Sequence, residues 1–166
     1  EQEVVNLKQL LDNILSDYET VIEEKEARVN LAVPSTLNVE GVASQLHQLF
    51  QNLISNGIKF SHPDVPPVVD ISAKQVVGRE LTEAFDADPE GNYCEIIVRD
   101  NGIGFEEKYL DRIFTIFQRL NHKNVYAGSG IGLALCKRIV ENHHGTIEAS
   151  GVPDKGATFK IYLPAA

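Results

Sequence analysis

Lysine and arginine are scarce in this chain: 15 of them stand against 24 aspartates and glutamates in 166 residues, a formal net charge of -9. That balance excludes a nucleic-acid surface, which needs clustered cations, and electrostatic adhesion to anionic lipid. Any anion bound by this protein must be held locally. Cysteine is equally sparse. Cys94 and Cys136 sit in apolar runs without metal-ligand spacing, which excludes a zinc or disulfide framework and implies buried thiols in a reducing, cytosolic setting. Also missing are long apolar runs, a signal peptide, internal repeats and low-complexity stretches, and the first residue is Glu1 instead of a methionine. The expectation is one domain over residues 1–166, cut from a longer protein, with 43% hydrophobic residues to build its core.

What is present reads as alternating helices and strands. Apolar residues at Leu7, Leu10, Leu11, Ile14, Leu15, Tyr18 and Ile22 recur near the helical period and predict an amphipathic helix within Val5 to Arg28, after a short first strand. Two short strands surround Pro34, and a second helix fits Val42 to Phe60. Its core face is Val42, Leu46, Leu49, Phe50, Leu53 and Gly57, while Gln45, Gln48, Asn52, Asn56 and Lys59 form an opposite stripe, uncharged except at one end. The stretch SHPDVPP ends that helix. Strands follow at Val68 to Val77 and Tyr93 to Asp100, with the polar Gly78 to Asn92 as a loop or hairpin tip. A short helical stretch, EEKYLDRIFTIF, precedes a polar segment from Gln118 to Ser129. A last helix covers Gly130 to Asn142, and strands at Thr146 to Ser150 and Ala157 to Leu163 close the chain. The sum is an α+β arrangement of helices layered on one mixed or antiparallel sheet.

Three constellations carry chemistry, each with a plain structural alternative. Asp100 shares the apolar phase of its strand with Ile96 and Val98, so it is either a turn cap for Asp-Asn-Gly-Ile-Gly or a carboxylate in a dry pocket that accepts from a ligand. Gly102 and Gly104 allow close backbone approach. A second glycine cluster, GSGIGLAL, places Gly128, Gly130 and Gly132 at a helix start, where backbone N–H groups favour an anion such as phosphate. It is neither a P-loop nor a dinucleotide fingerprint, which needs glycine where Leu133 stands. Third, Asn52 and Asn56, one turn apart, form either a solvated polar face or an amide pair for Mg²⁺, with Lys59 as a nearby cation. Together they compose one nucleotide site.

In order and spacing these residues resemble the catalytic ATP-binding domain of sensor histidine kinases. NLISNGIKF is similar to the N box, DNGIGF to the first glycine box, IFTIFQRL to the F box and GSGIGLAL to the second glycine box, and the likeness runs to the final GATFKIYLP. The superfamily includes gyrase B, the heat-shock chaperone and MutL, and it implies the Bergerat fold: three main helices on one face of a mixed sheet.

The resemblance further implies ATP and Mg²⁺ as cofactors. Asp100 would accept from the adenine amino group, with Gly102 beside it and Gly104 giving the base room; Asn56 would coordinate Mg²⁺ with Asn52 on the metal and phosphate side; Lys59 would reach the phosphates. Phe60 stands where the family has tyrosine, keeping the stacking and losing a hydroxyl. Arg119 would approach the γ-phosphate, Gly128, Gly130, Gly132 and Leu133 would line the triphosphate, and the segment from Arg119 to Ser129 would be the ATP lid. Thr158 would support the adenine. Val42 replaces an N-capping aspartate, and Gly57 replaces an alanine.

The gyrase-like relatives carry a glutamate where Asn52 stands, and an amide cannot act as a general base. The implied activity is therefore phosphoryl transfer to a histidine, in two-component signalling, and not hydrolysis. None of His47, His62, His122, His143 or His144 has the neighbours of a phosphoacceptor, so the acceptor is expected on an upstream helical dimerisation domain. His143 and His144 read as a pair ending a helix, where a cation suits the dipole. A response regulator would be the downstream partner. The alternatives are a docking module without phosphotransfer and a hydrolysing ATPase.

Overall fold

A computed structural model describes residues 1–109, 112–114 and 132–166. The chain opens with β1 (Glu3–Asn6) and α1 (Leu7–Asp17), where the Asn6 side chain caps the helix by accepting from the Gln9 N–H at 2.9 Å. The expected single helix then breaks. Tyr18 leaves helical geometry (φ -101°, ψ 11°) and its hydroxyl accepts from Gln51 Nε2 at 3.0 Å, so a separate α2 (Glu19–Glu24) runs on with no buried residue. Periodicity alone cannot show this break, because the apolar phase continues through Tyr18 to Ile22.

Strands β2 (Arg28–Ala32) and β3 (Asn38–Gly41) lead into α3 (Ala43–Lys59). Next come β4 (Val68–Val77), β5 (Asn92–Asp100), α4 (Gly132–Asn142), β6 (Thr146–Val152) and β7 (Gly156–Pro164). Strands β1 and β3 form a small antiparallel pair. The main sheet has the order β2-β4-β5-β7-β6, parallel only between β2 and β4, so it is mixed. Its inner face, Val69, Ile71, Cys94, Ile96, Val98, Ile147, Phe159 and Ile161, packs with Leu7, Leu11 and Ile14 of α1, with α3, and with Cys136, Ile139 and Val140 of α4. Helix α3 lies in the middle, touching α1 on one side and α4 on the other.

The expected core face of α3 is buried from Leu46 to Gly57, and Ile54 and Ile58 join it. Each such aliphatic or aromatic side chain contributes about 1.5–3 kcal/mol by leaving water, enough to hold a helix that starts without a side-chain cap. Val42, placed on that face by periodicity, is only half-buried because it is the N-cap residue. Residues 78–92 connect β4 and β5 as expected, but they also fold over the sheet's outer face. There Leu81, Ala87, Tyr93 and Tyr162 make a second small core, with Phe85 packing edge-on to Tyr93. Tyr162 donates to Glu95 Oε2 at 2.9 Å, and burial together with that carboxylate pushes its phenol well above the usual range.

Both thiols are buried, as the sequence implied. Burial pushes Cys94 up to about 11 and Cys136 up to about 12, so neither forms a thiolate near neutrality.

Candidate functional site

The site lies between the C-terminal half of α3, the end of β5 and the start of α4. Asp100 is the last residue of β5, on the inner face, and only 7% exposed. Its Oδ1 accepts from the Gly102 N–H at 2.9 Å and from the Ala157 N–H at 3.3 Å. The turn-cap reading therefore holds through Oδ1, and the carboxylate is buried. Oδ2 turns toward α3, 3.7 Å from where a Cβ on Gly57 would stand. Two N–H donors fix the carboxylate plane.

The turn after Asp100 is strapped on three sides. Asn101 accepts from the Val68 N–H at 2.8 Å and donates to the Pro66 carbonyl at 3.2 Å, which ties it to the entry of β4. The Ile103 N–H donates to the Phe60 carbonyl at 3.0 Å, and the Asp154 N–H donates to the Ile103 carbonyl at 2.7 Å. Gly102 lies so close to α3 that a Cβ would stand 2.4 Å from the Phe60 carbonyl oxygen. Gly104 has φ +63°, and a Cβ there would meet the Val152 carbonyl oxygen at 2.2 Å. The room that Gly104 provides is thus taken by the β6–β7 hairpin, whereas the resemblance assigned it to the base.

Gly57 also acquires a different reason. Helix propensity favours alanine there by about 0.5–1 kcal/mol. A Cβ, however, would stand 2.8 Å from Val69 Cγ2 and 3.4 Å from the Asp100 Cβ. Overpacking a tight site costs about 1–3 kcal/mol, which outweighs the propensity gain. Gly57→Ala is therefore expected to lower the thermal midpoint. A raised midpoint in the same thermal unfolding experiment contradicts the packing.

On α3, Asn52 and Asn56 are half-buried and one turn apart. The Asn52 amide donates to the Gly132 carbonyl at 3.4 Å and accepts from Gln48 Nε2 at 3.4 Å, so it touches the first turn of α4. Among the described residues, a Cβ on Gly132 would meet nothing within 4 Å. Leu133 is a core side chain, leaving only its backbone for a ligand. Phe60 ends α3, and the Lys59 ammonium stands 5.3 Å from its ring centre. Lys59 is exposed and lines a cavity of about 260 Å³ with Lys25, Glu26, His62 and Asp64.

Thr158 is not brought into this site. It pairs with Arg99 on the outer face of the sheet, its hydroxyl 3.4 Å from Arg99 Nε, and strand alternation points it away from Asp100. Its neighbour Ala157 is the residue beside the carboxylate. Arg119, Gly128, Gly130 and the expected lid from Arg119 to Ser129 lie outside the described residues. Of the F box, Ile113 is buried and Phe114 packs edge-on to Phe159 at 6.3 Å. Asn101 and Ala157 are the participants that the sequence reading missed. The turn sequence Asp-Asn-Gly held a signal for Asn101; nothing local marked Ala157.

Fit to a metal follows from the donor set. Among the described residues no three His, Cys, Asp or Glu side chains gather to hold an ion. Two amide oxygens on one helix face suit a hard cation that keeps most of its ligands as water and phosphate, as Mg²⁺ does. Helices layered on one face of a mixed five-stranded sheet, with a buried carboxylate at the end of β5 and an asparagine face on α3, make a two-layer α+β sandwich of the Bergerat class.

Residues 41–166 match the family described as histidine kinase-, DNA gyrase B- and HSP90-like ATPases, and the chain belongs to that family. It is 36% identical over 162 residues to cyanobacterial phytochrome A of Nostoc sp. and 34% identical over 159 residues to the phytochrome-like protein Cph1 of Synechocystis sp., covering 98% and 96% of this chain. The chain spans 19% of the length of each of these relatives. The solved structure of a mycobacterial sensor histidine kinase, MprB, superposes with a TM-score of 0.77 at 24% identity, covering 98% of both chains.

Proposed function

We propose that this chain binds Mg-ATP and donates its γ-phosphoryl group to a histidine on an upstream helical dimerisation domain, which then phosphorylates a response regulator. The observation that carries the reading is Asp100: a buried carboxylate, oriented by two backbone N–H groups, with its second oxygen turned toward the helix that bears Asn52 and Asn56. A fixed acceptor in a dry setting is suited to an exocyclic amino group.

Asn56, with Asn52 beside it, would hold Mg²⁺, which when bound neutralises charge on the β- and γ-phosphates. Lys59 and Arg119 would add cations at the phosphate end, while Phe60 offers an aromatic face beside the base. Gly128, Gly130 and Gly132 would present backbone N–H groups to the triphosphate. No carboxylate or imidazole occupies position 52, so this chain supplies no base to activate water there. Among the described residues, no helix is long and apolar enough to cross a membrane.

Calorimetric titration with Mg-ATP, followed by an assay for released phosphate, tests the reading. Saturable one-to-one binding without turnover is expected. Absence of binding, or steady hydrolysis by the chain alone, overturns it.

A further inference from the structure

Helices α3 and α4 run antiparallel, and three hydrogen bonds tie them. Near the nucleotide site, Asn52 donates to the Gly132 carbonyl at 3.4 Å and Cys136 Sγ donates to the Leu49 carbonyl at 3.7 Å. At the other end, the Val42 N–H, the N-cap amide of α3, donates to His143 Nε2 at 3.0 Å. His143 follows the last residue of α4. Its Nδ1 faces the Ile139 carbonyl at 2.7 Å and must carry the hydrogen, so the ring is the Nδ1–H tautomer with Nε2 as acceptor. The cationic helix-end role expected from sequence does not apply to it: His143 is 2% exposed and accepts from an N–H.

The seat for this ring is fitted. A Cβ on Gly41 would stand 2.5 Å from His143 Cδ2 and 2.7 Å from Nε2, so only glycine lets the imidazole reach Val42. Val42 has no capping side chain, and the N-terminus of α3 is therefore held by a residue from another helix. Ten residues separate Val42 from Asn52, about 15 Å along the helix axis. A shift of α3 against α4 at the His143 end carries Asn52 and Asn56 with it.

We propose that His143 is a positioning residue for the nucleotide site: by latching the start of α3 to the end of α4, it sets where Asn52 and Asn56 stand relative to the first turn of α4. The proposal rests on the Mg-ATP reading above. It predicts a larger effect on the metal and phosphate end than on the adenine end, since Asp100 is held by the N–H groups of Gly102 and Ala157, which lie outside α3 and α4.

The test compares His143→Asn with His143→Gln, because the glutamine amide oxygen reaches the Nε2 position and the asparagine amide does not. Mg-ATP and adenosine affinities are measured for each, with amide exchange at Val42 as the report on the latch. His143→Asn is expected to expose the Val42 amide and weaken Mg-ATP binding by about 3- to 30-fold while adenosine affinity stays within about twofold; His143→Gln is expected to restore both. Equal losses for adenosine and Mg-ATP, or no loss despite an exposed Val42 amide, overturn the proposal. If His143→Asn does not fold, His143→Gln decides: Mg-ATP affinity must match the parent chain, and a folded glutamine variant that loses it overturns the latch. A parent chain that binds no Mg-ATP sinks the nucleotide reading instead, and Val42 protection still reports the latch.

Discussion

Asp100→Asn is expected to leave the domain folded and to weaken Mg-ATP binding by roughly 10- to 150-fold, the equivalent of about 1.5–3 kcal/mol for one hydrogen bond to a charged group. The substitution preserves the shape of the side chain. Its amide oxygen can still accept from the Gly102 and Ala157 N–H groups, so the turn survives with a loss of about 1 kcal/mol, a midpoint shift of about 2–4 °C. What changes is the second position. An NH₂ replaces Oδ2 on the side facing α3 and sets a donor against the amino group of adenine. Discrimination between ATP and GTP should shrink with it, because the carboxylate accepts from an amino group and has no donor for a carbonyl. Calorimetry on both nucleotides checks this. Unchanged ATP affinity in a folded Asp100→Asn variant contradicts the assignment.

Gly104→Ala is the second large effect, and it acts on the fold before the ligand. At φ +63° an alanine pays for left-handed backbone, and its Cβ would sit 2.2 Å from the Val152 carbonyl oxygen and 2.7 Å from that of Gly156. Both obstacles are backbone of the β6–β7 hairpin, which cannot rotate aside as a side chain can. Strain and displacement together should cost about 3 kcal/mol or more, a fall of about 6–12 °C in thermal midpoint. Because the hairpin also holds Ile103 through Asp154 and contributes Ala157 to Asp100, nucleotide affinity should fall as well. A midpoint within 2 °C of the parent, read by circular dichroism against temperature, contradicts this packing.

The sequence revealed most where one element carries its own signal. The apolar phase of α3 and its asparagine stripe are periodic, so helix, buried face and polar face were all legible. Asp100 was legible as out of place, since an aspartate on the buried phase of a strand must be satisfied by something. The break of the first helix at Tyr18 was not legible, because a side chain on α3 holds Tyr18 and the local pattern stays helical. Thr158 was misplaced by one residue, and in a strand one residue is the difference between the two faces of the sheet. The value of Gly57 was also hidden: local propensity speaks against glycine in a helix, while Val69 and Asp100, distant in sequence, forbid the methyl group. His143 illustrates the same limit, since the N–H that its ring accepts from lies 101 residues away.

The central claim is that the site formed by α3, β5 and α4 loads ATP for transfer to a histidine. One measurement tests it most directly: γ-labelled ATP and Mg²⁺ are added to the chain together with the helical dimerisation segment proposed as its acceptor, and the protein-bound label is challenged with acid and base. The account predicts label on that segment that is acid-labile and base-stable, as phosphohistidine is, and none on the chain alone. Nucleotide binding without any transferred label would contradict it.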